Sequence, residues 1–149
     1  MESDHPVSMA DDEVDEFLGN GGTGVLSLSR TAVHSPHSVP VSYGYDANAR
    51  TFYFRLAVGP ESSKTDLDDR PVSFVVHRQV DDRWQSVVAT GQLEDLAESD
   101  IATETLSGLD RVDIPLIDIF EEPTRVVDFE FYRLVPEALT GRVESPGRT

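Results

Sequence analysis

At 149 residues the chain is long enough for one domain with a buried core and short for two domains of ordinary size. It contains no cysteine, which excludes disulfides, thiolate metal sites and thiol nucleophiles. Its 28 acidic residues against 12 basic ones give a formal net charge of −16, which disfavours nucleic acid and anionic membranes as partners.

The N-terminal stretch MESDHPVSMADDEVDEFLGN lacks the basic and apolar regions of a signal peptide, and no segment approaches a membrane span, so a cytoplasmic protein is expected. Ser8 followed three residues later by Asp11 reads as a helix start, with Val14, Phe17 and Leu18 on one face and Gly19-Asn20-Gly21-Gly22 as its end. Gly24–Arg30 and Val39–Tyr45 alternate apolar and polar residues, and Asp46–Arg50 is a turn joining the second of these to a strand over Thr51–Leu56. In that strand Phe52, Phe54 and Leu56 share one face, and Tyr53 and Arg55 the other.

Ala57–Lys64 is a loop broken by Gly59-Pro60 and leads into a short helical stretch, Thr65–Asp69. Pro71 opens a strand in which Val72, Phe74 and Val76 alternate with Ser73, Val75 and His77; Asp81-Asp82 makes the next turn, and Trp84–Leu93 is a long strand. Glu98–Leu109 has helical spacing, and Ile114–Phe120 is a short apolar stretch. The last strand spans Arg125–Val135 with Val127, Phe129, Phe131 and Val135 on one face, followed by a fraying tail from Pro136 to Thr149. Short strands with tight connections and no βαβ alternation predict a mainly β domain, an antiparallel six-stranded barrel with a few short helices. It fills one domain, 1–149, with the core at about 11–142 and frayed ends at 1–8 and 143–149.

The order of these elements, and the local sequences Pro40–Gly44, Phe52–Arg55, Gly59–Lys64, Asp69–Phe74, Trp84–Val88 with Gly91, and Pro136–Gly141, resemble the FMN-binding split barrels related to pyridoxamine 5′-phosphate oxidase, including nitroimidazole reductase-like proteins. The resemblance runs from about Asp11 to Arg142. It implies a homodimer with flavin sites between the subunits. It further implies that Arg55, Ser62, Ser63 and Lys64 grip the FMN phosphate, that Val41, Ser42 and Tyr43 line the isoalloxazine, and that Trp84, Gln85 and Ser86 come from the partner subunit.

The chemistry of the grip is plain in the residues. A phosphate dianion takes charge-assisted donors, and Arg55 offers a planar fork, Lys64 a mobile point charge, and Ser62 and Ser63 hydroxyls before a short helix. Lys64 is the only lysine in the chain. An acidic, lysine-poor composition is of halophile type, since at about 1 M salt the Debye length falls to about 3 Å and mutual repulsion is screened.

His34 and His37 flank Pro36, which places them in a bend unsuited to aiming metal ligands, so no metal site is expected; His77 shares a face with Ser73 and reads as cross-strand packing. The acidic pairs Asp11-Asp12, Asp68-Asp69, Asp81-Asp82 and Glu121-Glu122 fit a solvated surface rather than acid–base catalysis. Tyr43, Tyr45, Tyr53 and Trp84 divide between core packing and stacking on a flavin.

What the resemblance implies about function is an FMN-dependent oxidoreductase passing electrons from a reduced donor such as NAD(P)H to a small-molecule acceptor, with no catalytic side chain singled out. The alternatives are a non-catalytic flavin carrier, a deazaflavin- or haem-binding member of the same barrel, and an acidic interaction domain without a cofactor.

Overall fold

In the computed structural model, which describes residues 7–29, 35–58, 70–96 and 128–144, the alternating segments are strands joined in one antiparallel sheet. In chain order they are β1 (Val7–Ser8), helix α1 (Asp11–Leu18), β2 (Gly21–Leu28), β3 (His37–Asp46), β4 (Thr51–Val58), β5 (Pro71–Val80), β6 (Arg83–Asp95), β7 (Asp128–Leu134) and β8 (Ala138–Glu144). The strands run β1-β8-β6-β5-β2-β3-β4-β7, and β7 pairs back onto β6, so six of them close into the expected barrel. Closure removes the open edges that a flat sheet of this kind exposes.

One edge of β6 serves two partners. Trp84–Thr90 pairs with β8 and Leu93–Asp95 pairs with β7. Gly91 stands between them, where a Cβ would come within 2.9 Å of Leu134 Cδ1 and 3.2 Å of the Val135 carbonyl oxygen. A residue without a side chain is what lets the two strands meet there.

The inward positions form an aromatic core. Tyr43, Phe52, Phe54 and Phe74 are fully buried, and the Phe74 ring lies 4.8 Å from Phe54, 5.3 Å from Tyr43 and 5.4 Å from Phe52, each edge to face. Such pairs add about 0.5–1.5 kcal/mol each beyond the area they bury. Gly24 makes room for them, since a Cβ there would fall 2.6 Å from Phe74 Cζ and from the Val75 carbonyl oxygen.

Helix α1 closes one end of the barrel with Val14, Phe17 and Leu18 inward, as the sequence spacing predicts. Its start differs from the sequence reading: the cap is Ala10, whose N–H donates to Glu13 Oε1 at 2.9 Å, while Ser8 lies in β1. The helix is fastened by side chains of β3. Tyr43 Oη donates to the Leu18 carbonyl at 2.9 Å and Tyr45 Oη to Asp15 Oδ1 at 2.7 Å. Arg78 caps the same helix end, donating to the Phe17 carbonyl with its guanidinium 4.0 Å from the Phe17 ring.

Both expected hairpin turns are present. Asp81 and Asp82 have φ of 51° and 65° between Val80 and Arg83, the left-handed pair that a two-residue hairpin needs and that Asp tolerates. Asp46 Oδ1 accepts from Asn48 N at 3.1 Å in the other.

Three expectations are corrected. The tail is not a fraying loop throughout, because Ala138–Glu144 is strand β8, paired with β6 and β1. For the same reason the N-terminal fray stops short of Val7, which pairs with Val143. On the last barrel strand the core face is Tyr132 and Leu134, fully buried opposite Phe54 and Phe52, whereas Phe131 and Val135 face outward. The predicted helical stretches at 65–69 and 98–109 and the apolar stretch at 114–120 lie outside the described residues.

Candidate functional site

Strand β3 divides its side chains by the two-residue period. Val41, Tyr43 and Tyr45 enter the core, and Ser42 points to the outer face. Ser42 is only 4% exposed, and its hydroxyl has no hydrogen-bond partner among the described residues. A buried hydroxyl left unpaired costs about 1–3 kcal/mol, so a hydrogen-bond acceptor or donor supplied to it would be favourable.

Across β2 Ser42 faces Thr23. On the other side the register Tyr43↔Phe54 makes Ser42 and Arg55 the next positions along their strands. Arg55 is half-buried and lies opposite Phe131 of β7, which is 40% exposed. Tyr53, on the same face, is buried, and beside it Arg133 donates through Nε and Nη2 to Glu94 Oε2 at 2.9 and 2.7 Å. The outer face over β3, β4 and β7 thus combines a hydroxyl without a partner, a guanidinium and an exposed aromatic ring. This set suits a planar, polar-edged, anionic ligand.

Of the residues singled out in the sequence, Ser42 and Arg55 lie on the same outer face, one position beyond the last β3–β4 pair, Tyr43↔Phe54. Val41 and Tyr43 lie in the core, so their side chains are structural: burial raises the Tyr43 hydroxyl above its ordinary pKa, opposed in part by Arg78. Trp84 and Ser86 occupy the outer face of β6, three strands from β3 in the order β3-β2-β5-β6, and Trp84 is 48% exposed. Gln85, by alternation, turns to the opposite face from these two. Ser62, Ser63 and Lys64 lie outside the described residues.

Phe131 is the residue of this outer face that sequence reading did not single out. Its strand is apolar on both faces, and only pairing with β4 tells which face is inward.

His37 is an exposed first residue of β3, and His77 is exposed with its ring 6.4 Å from that of Trp84, while His5 and His34 are outside the described residues. Among the described residues no group of three or more His, Asp or Glu is placed to hold a metal ion. An open hollow of about 510 Å³ lies at the far end of the same outer face, between Ser27, Ser29, Ser38 and Ser73. Ser27 and Ser38 share a 2.7 Å hydrogen bond across it, and Pro36, Pro71 and Val72 complete its lining among the described residues. No helix among the described residues is long and apolar enough to cross a membrane.

A family model described as pyridoxamine 5′-phosphate oxidase matches residues 10–143. An FAD-binding protein from Mycobacterium smegmatis is similar in structure with a TM-score of 0.66 at 17% identity, over 93% of this chain and 98% of that one. An FAD-binding protein from Mesorhizobium loti gives 0.65 at 23% identity, over 94% and 99%. A heme binding protein from Mycobacterium smegmatis gives 0.59 at 14% identity, over 95% of this chain and 57% of its own length. No curated protein matches. At these identities the structural likeness concerns the fold.

Proposed function

This chain belongs to the pyridoxamine 5′-phosphate oxidase family, and from that premise we propose that it is a flavin-binding oxidoreductase holding FMN over the outer face of β3 and β4. The observation that carries the reading is the Ser42 hydroxyl, buried, without a partner and next in line to Arg55.

Bound there, the isoalloxazine would supply the electron chemistry, accepting from a reduced donor such as NAD(P)H and passing to a small electrophilic acceptor of the nitro or quinone type. Ser42 Oγ would donate its proton in a hydrogen bond to a ring carbonyl or ring nitrogen, which orients the ring and satisfies the hydroxyl. Arg55 would place positive charge against the anionic ligand, and Ser62, Ser63 and Lys64 would grip the phosphate by charge-assisted bonds. Phe131 would shield one edge of the ring from water. The site is completed in a homodimer, in which Trp84 and Ser86 reach it from the second subunit. Salt at the level that suits an acidic, lysine-poor surface favours both binding and assembly.

The test is uptake of FMN, deazaflavin coenzyme and haem by protein reconstituted at high salt and freed of unbound ligand, read by absorbance. One FMN per chain is expected. Lys64→Ala should weaken it about 10- to 100-fold, the range for losing one charge-assisted bond. Failure to take up FMN sinks the reading, and uptake of one of the other two redirects it within the same barrel. Turnover with NAD(P)H then separates an enzyme from a flavin carrier.

A further inference from the structure

Ser42 stands where two ladders of the sheet run out. Pairing between β3 and β4 covers Tyr43–Asp46 and stops one residue short of it. Pairing between β2 and β5 begins at Val25, two residues beyond Thr23, which faces Ser42 across β2. The β2 segment opposite Val41–Gly44 is Gly21–Gly24, three glycines in four residues. Glycine leaves the backbone freer than any other residue and gives its neighbours no side chain to pack on. A hydroxyl on so weakly held a stretch of sheet keeps its place only with support from another element.

Helix α1 gives that support from the inner side. It runs into β2 through Gly19 and Asn20, and the Asn20 carbonyl accepts from Tyr45 N at 3.0 Å. Tyr43 and Tyr45 reach back to it through the hydroxyl bonds to the Leu18 carbonyl and to Asp15. A Cβ at Gly22 would come within 3.3 Å of Tyr43 Cε1 and Oη, so the bare backbone of β2 is what lets the Tyr43 ring cross that strand to the helix. The helix is itself anchored, by Val14, Phe17 and Leu18 in the core and by Arg78 of β5 at the Phe17 carbonyl. Phenylalanine would fill the same space at positions 43 and 45, so what the two tyrosines add is the tie from β3 to α1.

We infer that the hydroxyls of Tyr43 and Tyr45 position the Ser42 hydroxyl for its ligand, with α1 as the brace through which they act. Both are positioning residues: they serve the outer face from inside the barrel. The inference rests on the flavin reading for the identity of the ligand, while the brace itself can be tested on the flavin-free chain.

The test takes Tyr43→Phe, Tyr45→Phe and the double variant, each with and without Ser42→Ala, and titrates FMN at high salt. The double variant should bind FMN more weakly, by no more than the five- to tenfold or so that Ser42→Ala costs, because a residue acting through Ser42 cannot be worth more than Ser42. In the Ser42→Ala background the tyrosine substitutions should cause no further loss. Leu139→Ala, a half-buried core contact on β8 four strands from β3, is the control for lowered stability and should leave FMN affinity unchanged. In the flavin-free chain, amide hydrogen exchange should quicken at least about threefold over residues 22–24 and 41–43 in the double variant and stay unchanged in β8. Either single variant carries the same test if the double variant does not fold.

A loss of affinity that persists in the Ser42→Ala background overturns the inference, since the tyrosines then act by another route. So does an equal loss in Leu139→Ala, or exchange around Ser42 that the tyrosine substitutions leave unchanged. Quickened exchange in a chain that takes up no FMN would refute only the cofactor reading and leave the brace standing.

Discussion

The inner and outer sides of the same strands follow opposite rules. Inside the barrel Tyr43, Phe52, Phe54 and Phe74 pack ring against ring, and the hydroxyls of Tyr43 and Tyr45 each reach an acceptor on α1. Outside, one residue along from Tyr43, the Ser42 hydroxyl is buried with no partner, and Phe131, Val25 and Trp84 are exposed. The difference separates two kinds of constraint. The inner face satisfies its own groups and stabilises the barrel; the outer face carries, among the described residues, a buried hydroxyl without a partner and apolar side chains left exposed.

The largest expected effect lies inside. Phe74→Ala removes a ring with three edge-to-face neighbours at 4.8–5.4 Å and should destabilise by about 3–5 kcal/mol, measured by denaturant unfolding. A loss below about 1 kcal/mol would mean that the aromatic cluster is not the centre of the core. Gly24→Ala probes the same cluster by overfilling. Its Cβ would meet a backbone carbonyl as well as the Phe74 ring, and a carbonyl held between paired strands cannot rotate away, so a loss of about 1–3 kcal/mol is expected.

Alkaline pH loads the fastening of α1. Burial, then the hydrogen bond to Asp15 and its charge, push the Tyr45 hydroxyl well above its ordinary value of 10.0, and burial raises Tyr43 in the same direction. The folded chain therefore keeps protons that the unfolded chain releases near pH 10. Stability is full below that pH and falls as pH rises toward the folded values. Tyr45→Phe should make the decline above pH 10 shallower, while at neutral pH it costs about 1 kcal/mol through the lost bond to Asp15. An unchanged alkaline slope in unfolding experiments would show that the Tyr45 proton is not what is being lost.

How much of this was legible in the sequence depends on whether one strand face differs from the other. In β3 and β4 it does: Val41 and Tyr43 against Ser42, and Phe52 and Phe54 against Arg55, follow from alternation alone. In β7 it does not, because Phe129 and Phe131 are as apolar as Tyr132 and Leu134, and only pairing with β4 assigns the core. Strand β8 was illegible for another reason. Ala138-Leu139-Thr140-Gly141 has weak strand propensity, and its Gly141 is required by contact with Met9 and Val14 near α1, a long-range fact. The resemblance to the family pointed to Val41–Tyr43 as a unit, and the period of the strand then splits it, leaving Ser42 alone of the three on the outer face. That its hydroxyl lacks a partner belongs to the three-dimensional account of hydrogen bonds, which no spacing in the sequence encodes.

The smallest change in stability should also have the opposite sign, and it tests the comparison most directly. Ser42→Ala removes a buried hydroxyl that makes no bond in the folded chain, so the variant escapes a desolvation penalty and should be more stable by up to about 1 kcal/mol. Its FMN affinity should fall about five- to tenfold, the worth of one neutral hydrogen bond. Gain of stability together with loss of binding is the pattern of a group kept for its ligand. If unfolding experiments show the variant to be less stable, the hydroxyl is satisfied within the chain, and the outer face over β3 loses its distinction from the core. If stability rises and FMN affinity is unchanged, the contrast between the two faces stands, and the flavin reading loses the observation that carries it.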